Sequence, residues 1–187
     1  IQATPREKKT SSTKVNIRDL IWQILQDLKK IITDLRIWLC GLIGGSSFSL
    51  VTIFIAMWAI PFFRRLYNID NVTATSLASS IYLGIALGCP FMAYLAKRFQ
   101  ILFIIMFSSL ATSLLIGLII FSPSIPFHLQ RVLLLLLGFF LACYQLPFAL
   151  VGGLVEQRVQ GAALGFTNMI NMSFAPLLQP LIGRRTG

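Results

Sequence analysis

Five stretches of this chain, 37–63, 71–96, 99–130, 132–155 and 159–183, contain no Lys, Arg, Asp or Glu. A helix rises about 1.5 Å per residue and needs roughly 20 residues to cross a hydrocarbon core of about 30 Å, so each stretch is long enough for one crossing. The runs are too long and continuous for barrel strands, and the hydrocarbon core offers backbone groups no partners except those within a helix. The third run holds "SPSIPFH" at 122–128, whose two prolines interrupt a helix and set its crossing at about 101–121. The expected fold is an all-α, polytopic integral membrane bundle with five crossings.

Composition points the same way. Of 187 residues, 56% are hydrophobic and 12% charged, against about 25% charged in soluble domains. A net charge of +10 would suit nucleic acid, but the charges gather in the amino-terminal segment and in pairs beside the apolar runs. That is the placement of membrane flanks, so the expected partner is the lipid bilayer and no nucleic acid. Cys40, Cys89 and Cys143 lie far apart inside apolar runs and suggest neither a disulfide framework nor a metal pair. His128 is the only histidine and has no catalytic or metal-binding partner at a useful spacing. Neither enzymatic activity nor a cofactor is expected.

The chain divides into a basic linker with an amphipathic helix (1–36), the bundle (37–183) and a short basic tail (184–187). In the linker, Ile17, Ile21, Ile24, Leu28, Ile31 and Leu35 recur at steps of four and three and share one helical face, with Asn16 as a candidate N-cap. Such a helix lies at a membrane surface or binds a partner helix. The chain starts on Ile1 and a polar, basic segment without the pattern of a secretory signal, and reads as part of something longer. With that segment in the cytoplasm, 11 Lys and Arg fall inside and five outside, namely Arg64, Arg65, Arg131, Arg184 and Arg185.

Four of the runs carry small or polar residues at helical spacing, such as Gly41 and Gly45, Gly84 and Gly88, Gly138 and Ala142, and Gly161 and Gly165. Small residues let membrane helices approach closely. Gln145, Asn168, Asn171 and Gln179 are costly in lipid and are expected to face other helices or a water-filled cavity. Pro147, Pro176 and Pro180 free backbone carbonyls and can bend the helices that hold them. Glu156 is the only acid after Asp70 and lies close to Arg158, as a solvated or ion-paired flank.

Three segments together resemble the carboxy-terminal half of a major facilitator superfamily transporter. "MWAIPFFRRLYNID" (57–70) resembles the outer end of the family's seventh helix. "GCPFMAYLAKRF" (88–99) is similar to the second copy of its signature loop, Gly-x-Pro-x-x-Gly-x-Leu-Ser-Asp-Arg, and "EQRVQGAALGFTNMINMSFAPLLQPLIG" (156–183) resembles the eleventh helix. The resemblance implies that 37–183 corresponds to helices seven to eleven, with a missing amino-terminal half as partner, in a bacterial cytoplasmic (inner) membrane. It implies transport of a small-molecule solute by alternating access; the alternative is a non-transporting truncated membrane protein or assembly subunit. Under the transport reading, Gln145, Asn168 and Asn171 are the polar substrate contacts, with Trp58 and Tyr82 as aromatic candidates. Gly88, Pro90, Lys97, Arg98 and Glu156 are the gating positions. Lys97 stands where the family pattern has an aspartate, and Ala93 where it has a glycine, so the implied latch onto the positive end of another helix is altered.

Overall fold

The computed structural model describes residues 17–122 and 125–183, and all regular structure among them is helical. The elements are α1 (Ile17–Thr33), α2 (Leu35–Tyr67), α3 (Asn71–Ala96), α4 (Ile101–Phe121), α5 (Phe127–Leu154) and α6 (Gln160–Gly183). Asn16, the amino-terminal segment before it and the basic tail lie outside the described residues.

Two aspartates start crossing helices. Asp34 accepts the backbone N–H of Arg36 at 2.9 Å, and Asp70 accepts those of Val72 and Thr73 at 3.0 and 3.3 Å. Each satisfies donors that the first turn of a helix leaves without a partner. Asn68, with φ 51°, adopts the left-handed conformation that stops α2.

Helices α2 to α5 are long and apolar enough to cross a membrane. The fifth expected crossing forms the 24-residue α6 but does not join those four. Gln160, Asn168, Asn171 and Gln179 lower its apolarity, and each amide needs protein or water beside it. The crossings alternate in direction. At one end the Tyr67 hydroxyl donates to the Ile125 carbonyl at 2.9 Å, tying the end of α2 to the start of α5. At the other, Arg158, just before α6, pairs with Asp27 of α1.

Between apolar helices in lipid there is little hydrophobic drive, so close packing must hold them. Glycines supply it here. A Cβ on Gly84 would fall on the Leu135 carbonyl oxygen, and one on Gly88 on that of Phe139, so α3 and α5 touch main chain to main chain. Helices α2 and α6 form a second pair, in which a Cβ on Gly41 would lie 2.9 Å from the Ile170 side chain and one on Gly45 would meet the Phe174 ring. Phe63, Leu77, Ile81, Ile119, Leu134 and Leu137 fill the core between α2, α3, α4 and α5.

Two of the helices are irregular. From Leu50 to Trp58, α2 is a π-helix, and the Ala59 N–H reaches back five residues to the Phe54 carbonyl. Pro61 lies three residues beyond Trp58, with no N–H to give to the preceding turn. In α5, Ala142–Gln145 is a 3-10 turn just before Pro147. Pro147 cannot donate to the Cys143 carbonyl, and the Leu146 N–H does so instead, which tightens the turn. Helix α6 runs on through Pro176 without a comparable break.

Candidate functional site

The 3-10 turn of α5 brings Gln145 to a surface that protein does not cover. Its Nε2 donates to the Tyr144 hydroxyl at 3.1 Å and to Cys89 Sγ of α3 at 3.5 Å. Gln145 lies nine residues from the end of α5, which is about 14 Å of helical rise. Asn171, eleven residues into α6, lies at a similar depth, about 16 Å.

Asn171 is 2% exposed, and its Oδ1 has no hydrogen-bond partner. Gly44 of α2 stands between the two sites: a Cβ there would lie 3.5 Å from the Tyr144 carbonyl and 3.8 Å from Asn171 Nδ2. The tightened turn and the buried amide thus approach one gap in α2. Asn168 is exposed, whereas Gln179 is half-buried, so the expected amide face of α6 divides by burial. Asn168 and Asn171 point to different surroundings.

The aromatic candidates lie apart from this group. Trp58, at the end of the π-helical stretch, lines a cleft of about 420 Å³ with Phe54, Pro61, Phe62, Arg65 and Leu66. Tyr82 is 48% exposed on α3. A cleft of about 270 Å³, which sequence reasoning missed, lies between α2, α4 and α5 and is lined by Ser46, Ser47, Ser109, Thr112 and Ser113 among others. The Thr112 hydroxyl is buried and has no partner. The signal in the sequence is Ser109, Thr112 and Ser113, three and four residues apart on α4 in an otherwise apolar run.

The positions expected to gate differ in their surroundings. Gly88 forms the close contact of α3 with α5, and Pro90 sits exposed within a continuous α3. Lys97 is the exposed C-cap of α3. The Arg98 guanidinium lies 5.9 Å from the Tyr94 ring centroid, a cation–π distance back onto the last turn of α3. Glu156 is exposed and lines a cleft of about 210 Å³ with Asp27, Lys30 and Asp34 among others.

Arg158 joins Asp27 rather than the neighbouring Glu156. Its Nη1 and Nη2 reach the two Asp27 carboxylate oxygens at 2.8 and 2.9 Å, the fork geometry that arginine offers a carboxylate. Arg158 is 59% exposed and Asp27 14%, so solvent screening holds the pair to roughly 0.2–1 kcal/mol. The contact spans 131 positions, and no local spacing could have announced it.

Against known families, a model of the Major Facilitator Superfamily matches residues 2–180. The chain belongs to the Major Facilitator Superfamily. Neither the curated proteins nor the solved structures contain a match. This superfamily member is a multi-pass integral membrane protein of transporter type, in which Gly84, Gly88 and Gly138 bring two helices into main-chain contact. The superfamily is one of transporters rather than enzymes.

Proposed function

We propose that the chain is part of a transporter that moves a small solute by alternating access, with Gln145, Asn168 and Asn171 as polar contacts. Its crossings correspond to helices seven to eleven of the superfamily, and an amino-terminal half completes the central cavity. The observation that carries this reading is the interrupted turn at Ala142–Gln145 lying at nearly the depth of Asn171, whose buried Oδ1 lacks a partner. Transporters form midplane sites from discontinuous helices beside polar groups, because an opened backbone and an amide can hold a solute that lipid cannot. Trp58, which lines its own cleft beside Pro61, and Tyr82, exposed on α3, act at the edges of the path rather than at its centre.

The test uses the full-length protein in sealed vesicles, with a panel of radiolabelled uncharged, cationic and anionic metabolites. Saturable uptake of one class is expected, strongly reduced by Gln145→Leu and Asn171→Leu while both variants insert and elute as the parent does. Saturable uptake unaffected by both substitutions would reject these amides as the site. No saturable uptake of any class by the parent would reject the transport reading for these solutes.

A further inference from the structure

We propose that α1 is a bilayer-facing strap: its uncovered apolar face enters the surface of a membrane carrying anionic headgroups, and the Asp27–Arg158 pair passes its position to the start of α6. The inference stands apart from the solute site and does not depend on it.

Helix α1 is covered by protein along one edge only. Ile31 is 3% exposed and packs with Ile37, Cys40, Val151 and Ala163, whereas Ile17, Ile21, Ile24 and Leu28 are 42–74% exposed. At 3.6 residues per turn, Ile17, Ile21 and Leu28 lie roughly 40 to 80° round the helix from Ile31. The covered edge and the uncovered apolar face are therefore adjacent, not opposed. A helix arranged this way can rest against the bundle while laying its apolar face on something beside the bundle.

The chain itself identifies that neighbour. Thr33 ends α1, Asp34 caps α2, and α2 is a membrane-crossing helix from Leu35 onward, so α1 lies where the crossing meets water. The Trp38 indole N–H donates to the Ile32 carbonyl at 2.7 Å and its ring packs edge-on to Phe166, so the end of α1 is joined to α2 where α2 meets α6. Residues 1–36 contain eight Lys and Arg against four Asp and Glu. Of those acids, Asp27 is paired with Arg158 and Asp34 is engaged by the Arg36 N–H. Lys29 and Lys30 are exposed. An apolar face flanked by lysines suits the boundary between acyl chains and anionic headgroups, where the lysine stems lie along apolar surface and the ammonium groups reach outward.

Arg158 is two residues from the start of α6, and Asp27 is on the covered edge of α1. A shift of α1 toward or away from the bilayer therefore pulls on the α5–α6 connection through this pair.

The test places nitroxide labels at Ile21, Leu28 and Gln26, and separately at Gln157, in the full chain without native cysteines, reconstituted in nanodiscs. Labels at 21 and 28 are expected to collide preferentially with oxygen, and the label at 26 with a water-soluble nickel chelate. Replacing neutral lipid by a mixture rich in phosphatidylglycerol should deepen the labels at 21 and 28 and change the line shape at 157. Asp27→Asn should abolish the change at 157 and leave oxygen preference at 21 and 28; Asp27→Arg with Arg158→Asp should restore it. Protection of positions 21 and 28 from both reagents would identify a protein occupant, such as a second copy, and overturn the proposal. Indifference of these labels to lipid charge, or an unchanged response at 157 in Asp27→Asn, would overturn it equally.

Discussion

Gly138 and Ile81 sit so close that a Cβ on the glycine would fall on the isoleucine carbonyl oxygen. No side chain separates α3 from α5 at this point. Gly138→Val should therefore destabilise the protein by about 1–3 kcal/mol or more, since the clash is with backbone and cannot be relieved by a rotamer change. Thermal unfolding of the purified variant in detergent measures it. Gly117→Ala is the control: no other group lies within 4 Å of a Cβ there, and alanine should gain about 0.5–1 kcal/mol as the better helix former. Equal behaviour of the two variants would rule out main-chain contact as what holds α3 to α5.

Single cysteines at Lys97 and Arg158 are expected to label from the cytoplasmic side with an impermeant maleimide, and those at Arg65 and His128 from the outside. The alternation of α2 to α6 requires the two pairs to differ. Labelling of all four from one side would contradict the fold.

Gln130 is fully buried near the start of α5, and neither of its amide atoms has a hydrogen-bond partner. An unsatisfied buried amide costs about 1–3 kcal/mol, so Gln130→Met, similar in length and apolar, should raise the melting temperature. A fall instead would show that the amide has a partner in the assembled protein.

Asp70 caps α3, and its carboxyl is held below the ordinary value of 3.8, first by the Thr73 side chain and then by the backbone N–H groups of Thr73 and Val72. A lowered folded-state value means that the carboxylate contributes stability above the unfolded value and loses it as pH falls through the folded one. Asp70→Ala should therefore melt lower than the parent at neutral pH. The difference should shrink as the pH drops below 3.8. A gap that stayed constant down to strongly acidic pH would mean that the ionised cap is not its source.

Length and charge made the crossings readable. The boundary at 101–121 matches α4 because proline and charge both mark it, and the glycine steps at 84, 88 and 138 become the actual contacts of α3 with α5. Polar position was less readable. Asn168 and Asn171 are three residues apart, yet one is exposed and the other buried, since the width of a neighbour's footprint on a helix depends on tertiary packing. Of the prolines that can bend a helix, Pro147 follows a tightened turn while α6 continues through Pro176, and the widened stretch of α2 lies before Pro61. Proline forbids one hydrogen bond; which neighbouring turn widens or tightens is decided by what packs around it.

Where two main chains touch, sliding one past the other would drive a side chain into a carbonyl. With Gly84, Gly88 and Gly138 in register, α3 and α5 are keyed together like tumblers in a lock, and neither can shift by a turn alone. Any rearrangement in the membrane must carry this pair as one body. The give has to come from elsewhere, and outside this pair the widened turns of α2 already depart from ideal geometry.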